Sequence, residues 1–192
     1  WTTSRSLKYL CLRLLEGHLN ITTDSFLLNF NFCFMKKLKN PFLEKEGYKC
    51  FGCAPSNKQG LQMEFWEDGD YIISKWQPKD YLQGYGNVLH GGIQTTVLDE
   101  ISSWVVYVKA QTGGVTANLE MKFRKTAYVN KGPLTARAKM TDTDKRFAYI
   151  FAELLDEEGN VCSEGHFRYY IFPQDVARKK LYYPGHEAFY ED

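Results

Sequence analysis

The sequence predicts an α+β protein in which an antiparallel sheet wraps around one long helix. Three observations carry that expectation. A single amphipathic run, from Gly91 to about Ala110, is long enough for a helix of several turns. Four segments after it alternate apolar and polar residues with the period of a strand. Short connections rich in Gly, Pro, Asn and Asp join these segments, as antiparallel neighbours require.

Composition narrows the class further. The 192 residues suffice for one domain with a real core, with or without appendages. Lys and Arg number 24 and Asp and Glu 23, so the chain lacks the basic excess expected of a bulk nucleic-acid binder. Aromatics reach 16%, which favours sheet. The five cysteines form an odd set without disulfide-scaffold spacing, pointing to a reduced, cytoplasmic setting. The sequence has no run of 18 apolar residues, so no membrane span is expected.

Residues 1–34 show no clean period, and Met35-Lys36-Lys37-Leu38-Lys39 reads as a natural start. The first 34 residues are therefore read as an extension outside the native chain. Asn29 and Asn31 interrupt the short apolar stretch there, which argues against a signal peptide. Residues 35–60 form a lead-in, with a short helix over Pro41–Glu46 capped by Asn40. Leu61–Glu67 and Tyr71–Gln77 are strand-like and flank the tight turn Asp68-Gly69-Asp70. Residues 78–87 read as loop.

The helix follows. Ile93, Val97, Ile101, Trp104, Val105 and Val108 form its apolar stripe. Thr95, Thr96, Asp99, Ser102 and Ser103 form a small-residue face that a second helix can approach. Gly113-Gly114 is the expected stop. The strand from Val115 to Arg124 alternates, predicting one buried and one wet face. Thr116 falls on its polar phase, so a local bulge is expected if it is to be aimed inward. Leu134–Thr141 alternates similarly. Phe147–Leu155 is apolar on both faces and is expected to be central, and Val161–Phe172 closes the set. The order β-β-α-β-β-β-β spans residues 61–172. Residues 173–192 read as a polar-aromatic tail of unassigned role.

The chemistry concentrates in Val88-Leu89-His90-Gly91-Gly92 and the helix beyond it. A helix start preceded by glycines presents free backbone N–H groups that can hold a developing oxyanion. Asp99, two turns on, supplies a carboxylate able to act as base or nucleophile.

Together these residues resemble the hotdog-fold acyl-CoA thioesterases, in the branch related to phenylacetate-pathway and fatty-acyl-CoA enzymes. Cys50-Phe51-Gly52-Cys53 with Asn57 and Gly60-Leu61 looks like that family's lead-in. Gln83-Gly84-Tyr85-Gly86-Asn87-Val88-Leu89-His90-Gly91-Gly92 looks like its loop into the central helix, and Thr116-Ala117-Asn118-Leu119 like the start of its third strand. The resemblance covers roughly Cys50 to Phe172.

It implies a polarising amide at Gly91, with Gly92 beside it, and a base or nucleophile at Asp99. It further implies a Thr116 that holds water or the carboxylate, and a His90 that shapes the turn or meets the carbonyl. Arg124 and Lys125 match positions that meet coenzyme A phosphates in some members. Where some relatives place an Asn six residues before the His, this chain has Gly84, with Asn87 displaced and Gln83 the nearest substitute. The implied reaction is acyl-CoA hydrolysis to acid and coenzyme A, with no metal and no cofactor.

Spacing adds a constraint. Eight residues of helix separate Gly91 from Asp99 by about 12 Å. A reacting carbonyl must lie about 3 Å from its donor and about 3–3.5 Å from its attacker. One chain therefore does not easily place both groups on one thioester, whereas two antiparallel helices do. A homodimer, or a tetramer of such dimers, is expected, with acyl-CoA as substrate and neither nucleic acid nor membrane as partner.

Blander readings stand beside these. Cys50-x-x-Cys53 is read as a packed, reduced loop, with half a zinc site or a redox pair as the open alternatives. Glu100 is read as a structural partner rather than a second catalytic carboxylate. Lys122, Arg124, Lys125, Lys145 and Arg146 form a solvated face or a phosphate rim. Trp66, Trp76 and Trp104 are read as core, and His166, Arg168 and the flanking tyrosines as ordinary strand residues. The rivals in function are an acyl-thioester hydratase or dehydratase on the same fold and a non-catalytic acyl-CoA-binding module.

Overall fold

A computed structural model describes residues 35–190. The expectation for residues 1–34 falls outside them. Antiparallel pairing builds one seven-stranded sheet from β1 (Lys36–Lys37), β2 (Trp66–Asp68), β3 (Tyr71–Trp76), β7 (Leu134–Thr143), β8 (Phe147–Leu155), β9 (Val161–Ile171) and β6 (Gly114–Phe123), in that spatial order. Helix α1 (Gly91–Val108) packs on this sheet against β3, β6, β7, β8 and β9. This is the expected α+β hotdog architecture.

Alternation explains the core. In β7 Leu134, Ala136 and Ala138 are buried, and in β8 Ala148, Ile150, Ala152 and Leu154 are. These small and branched residues let the helix sit close. Its own Val97, Leu98, Ile101, Trp104, Val105, Val106 and Val108 fill the space between helix and sheet. Trp104 stacks on Phe65 with ring centroids 4.1 Å apart. Burying a side chain of this size contributes about 1.5–3 kcal/mol relative to exposure.

Several local expectations need correction. The strand expected over Leu61–Glu67 is only β2, Trp66–Asp68. Residues 61–65 pair instead with the lead-in, Leu61 N–H donating to the Phe51 carbonyl and Met63 N–H to Gly52. The segment 78–87 is not all loop: a 3₁₀ turn (Asp80–Leu82) precedes β4 (Gln83–Tyr85), which forms a small hairpin with β5 (Val88–Leu89). The helix does not stop on glycine. The chain leaves it through Gln111 at φ 52°, and Gly114 is required instead by sheet packing, since a Cβ there would lie 2.8 Å from the Tyr170 carbonyl. Ser102, placed on the exposed small-residue face, is buried and donates to the Leu98 carbonyl at 2.7 Å. In β8 only one face is fully buried; Phe147, Tyr149 and Phe151 are half-exposed on the other.

The largest departure concerns β6. It lies at one end of the sheet order, and Val115, Leu119 and Phe123 are 45%, 40% and 55% exposed. The face predicted to be buried is open in the single chain. Residues 173–190, by contrast, are well packed. Helix α2 (Gln174–Leu181) and a 3₁₀ turn (His186–Phe189) bring Ala177, Tyr183 and Phe189 into the core. Phe189 meets Trp104 edge-on with centroids 5.6 Å apart, and Tyr190 donates to Glu67, which also pairs with Lys109. Lead-in, sheet and tail thus share one core.

Candidate active site

The loop into α1 is built for tight curvature. Asn87 adopts φ 61°, and its N–H donates to Gln83 Oε1 at 2.7 Å. Gln83 is therefore occupied in holding the β4–β5 turn, and Asn87 forms the turn itself. Gly84 lies against the His90 ring, where a Cβ would come within 3.2 Å of Cδ2. A side chain at the position where some relatives carry Asn would press on that ring, which would have to give by a few tenths of an ångström.

His90 caps the helix. Its Nδ1 accepts from the Gly92 N–H at 2.9 Å, which fixes the imidazole and occupies one of the free amides of the first turn. The Gly91 N–H has no acceptor among the described residues, because no helical carbonyl precedes it. Gly91 lines a cavity of about 620 Å³ together with Tyr85, His90, Gln94, Phe123 and Arg124 among others. Gln94 Nε2 donates to the Leu89 carbonyl at 3.1 Å and so braces the floor of this cavity.

Asp99 lies half-buried two turns along. Its Oδ1 accepts from Thr116 Oγ1 at 2.8 Å and from the Tyr169 hydroxyl at 2.6 Å. Oδ2 has no partner among the described residues. The reach of Thr116 follows from a β-bulge: Thr116 pairs with Tyr169 and Asn118 with Arg168, leaving Ala117 unmatched on β6. Tyr169 is the residue that sequence reading missed. Burial, then the Asp99 charge, push its phenol well above its usual range, so it stays a donor. The signal available beforehand was an aromatic with a hydroxyl on the inward phase of β9, which the other tyrosines of the chain dilute.

Arg124 and Lys125 both line the Gly91 cavity. Arg124 pairs with Glu164 at 2.7 Å and Lys125 with Asp156 at 3.0 Å. Both cations are exposed, so an arriving phosphate competes with these carboxylates on screened terms. The structure thus gathers His90, Gly91, Gly92, Arg124 and Lys125 at one end of α1, and Asp99, Thr116 and Tyr169 further along.

Glu100 turns elsewhere. It faces Cys50 and Cys53, with Cys50 Sγ 3.6 Å and 3.7 Å from its two oxygens, and Trp104 Nε1 donating to Oε1 at 3.3 Å. Burial above all, then the Cys50 charge, bring the Glu100 carboxyl up to about 7. The adjacent Cys53 thiol, and then the Cys53 and Gly52 amides, hold Cys50 down to about 5.

Fold and site define a hotdog-fold protein with an amide-bearing helix start and an anchored carboxylate. The sequence model of the thioesterase superfamily matches residues 86–163, which include both Gly91 and Asp99. Over that span the chain is similar to the thioesterase superfamily. It is 25% identical over 123 residues to a protein of Saccharolobus solfataricus described as a candidate esterase, covering 64% of this chain and 80% of that one. A hypothetical thioesterase of Streptococcus pneumoniae, crystallised with coenzyme A, shares the fold at 19% identity and a TM-score of 0.52, over 55% of this chain and 80% of that one. A Streptococcus mutans protein bound to acetyl-CoA does so at 14% identity and a TM-score of 0.56, over 68% of this chain and 98% of that one. Among the described residues, no helix is long and apolar enough to cross a membrane.

Proposed function

We propose that the chain hydrolyses acyl-CoA thioesters to a free acid and coenzyme A, from two sites shared across a homodimer. The observation that carries this reading is the division of labour along α1. One end offers an unpartnered amide at a cavity. The carboxylate, about 12 Å away by helical rise, has one oxygen anchored and one free. Similarity to the thioesterase superfamily over residues 86–163 supports the reaction class, and the coenzyme A complexes of similar folds support the substrate class.

The thioester carbonyl oxygen accepts from the Gly91 N–H at the helix start, where the helix dipole favours negative charge. Asp99 of the second copy takes a proton from water through Oδ2 while Thr116 and Tyr169 hold Oδ1. The water oxygen attacks the carbonyl carbon, the oxyanion collapses, and the C–S bond breaks. The proton on Asp99 then goes to the departing thiolate. These steps call on no metal and no cofactor. Arg124 and Lys125 rim the cavity where the phosphates of coenzyme A enter. The exposed apolar edge of β6 supports dimerisation, because a long unpaired edge of this kind invites a second strand.

The test mixes two inactive variants. Asp99→Asn removes the base. Gly91→Pro removes the amide yet suits the first helical position, and His90 at φ −58° and ψ 135° already tolerates a following proline. Each alone is expected to lose about 10²–10³-fold in turnover, measured as thiol release across an acyl-CoA panel. Statistical mixing of the two restores roughly a quarter of wild-type activity if each site takes Gly91 and Asp99 from different chains. No recovery on mixing assigns both groups to one chain and overturns the shared site. No hydrolysis of any acyl-CoA by the wild type overturns the reaction. Heavy oxygen from labelled water appearing in the Asp99 peptide after turnover replaces base catalysis by direct attack.

A further inference from the structure

We propose that Cys50, Cys53 and Glu100 bind a zinc-class divalent cation, on the side of α1 away from the Asp99 anchor. One ligand atom from each of the three lies within 4.8 Å of the others. The distances fit the metal. Tetrahedral zinc with Zn–S near 2.3 Å and Zn–O near 2.1 Å places sulfur and oxygen ligands about 3.6 Å apart. Cys50 Sγ lies 3.6 Å and 3.7 Å from the Glu100 oxygens.

The surroundings match what a ligand set needs. Trp104 Nε1 donates to Glu100 Oε1, orienting the carboxylate and leaving Oε2 for the metal. The Tyr48 hydroxyl lies 2.9 Å from Cys53 Sγ, where it can donate to a thiolate. Gly52 packs closely on the Glu100 carboxylate, so a Cβ there would force that side chain to move. A cavity of about 180 Å³ touches all three residues and gives a water access to the fourth position. Two soft sulfurs and one carboxylate suit zinc better than magnesium or calcium, which prefer oxygen alone. Binding displaces the Cys53 thiol proton to solvent.

The cation ties the lead-in turn to the helix at the residue next to Asp99, and its ligand set is separate from the groups around Gly91. The site is independent of the thioesterase reading.

The test uses the full chain with Cys11→Ser and Cys33→Ser, kept reduced, so that thiolate signals report on the described cysteines. Chelator-treated protein is titrated with Co(II) and then Zn(II). The expected result is one cobalt per chain, with the near-ultraviolet charge-transfer band of a cobalt thiolate and the visible bands of a tetrahedral site, both bleached by zinc. Zinc is expected to protect two thiols from a disulfide-exchange reagent and to raise the melting temperature by several degrees. Glu100→Gln is expected to weaken zinc binding at least tenfold while leaving the thiolate band. Absence of the charge-transfer band, unchanged thiol reactivity with zinc, or Cys50 and Cys53 closing into a disulfide that zinc does not prevent overturns the proposal. The wild-type titration reads the site even where a variant fails to fold.

Discussion

The Tyr169 hydroxyl lies 2.6 Å from both Oδ1 and the backbone carbonyl of Asp99. It joins the central helix to β9 at the carboxylate proposed for catalysis. A hydrogen bond to a charged group is worth about 1.5–3 kcal/mol, so Tyr169→Phe is expected to lower kcat by one to two orders of magnitude. KM for an acyl-CoA should change little, because Tyr169 positions the carboxylate rather than holding substrate. Steady-state kinetics over an acyl-CoA series checks both. An equal loss in KM alone would assign Tyr169 to binding.

Acid should unfold the chain partly through one turn. Asp156 accepts from the Glu158 and Asn160 amides and pairs with Lys125. Burial raises its carboxyl, but Lys125 and Asn160 outweigh that and bring it to about 2. A folded pKa below the unfolded value of about 3.9 means that the stabilisation is complete above that value and is lost as pH falls toward 2. Thermal melts from pH 5 to about 2 should therefore decline more steeply for the wild type than for Asp156→Asn, which lacks the titrating group. Parallel curves would remove Asp156 from the acid response.

The C-terminal segment should behave as core. Phe189 is fully buried against Trp104 and Tyr107. Phe189→Ala is expected to cost about 3–5 kcal/mol. Denaturant unfolding measures it. A change below about 1 kcal/mol would mean that this segment packs more loosely than its burial indicates.

The open edge of β6 should set the oligomeric state. Leu119 is 40% exposed there. A lysine on such an edge disfavours strand pairing. Leu119→Lys is therefore expected to shift the protein toward monomer in light scattering and to depress turnover in proportion. A fully active monomer would separate catalysis from assembly.

Much of the architecture was readable because periodicity reports burial. The alternation over Leu134–Thr141 and the stripe from Val97 to Val108 each match one buried face. Asn40 and Pro41 announced the short helical turn that Asn40 indeed caps. Elements held by irregular contacts were not readable. Residues 61–65 look like a strand, yet their amides serve the lead-in turn, a long-range pairing with no local signature. Residues 173–190 look polar, yet a few aromatics spaced for neither helix nor strand anchor them. At the site, Asp99 and Gly91 stood out by type and spacing. Tyr169 did not, because its role depends on a register between β6 and β9 that only the folded sheet sets. The alternation of β6 was read correctly as a pattern and incorrectly as burial, since a lone chain leaves that edge uncovered.

Ala117 is the odd residue of the bulge that lets Thr116 reach Asp99. Deleting it would give β6 and β9 uninterrupted pairing and a more regular ladder. Every side chain on one flank would then change faces, and the threonine hydroxyl would leave the carboxylate. The sheet thus carries a deliberate flaw whose repair would trade turnover for robustness, and selection for heat resistance alone would be expected to erase it first.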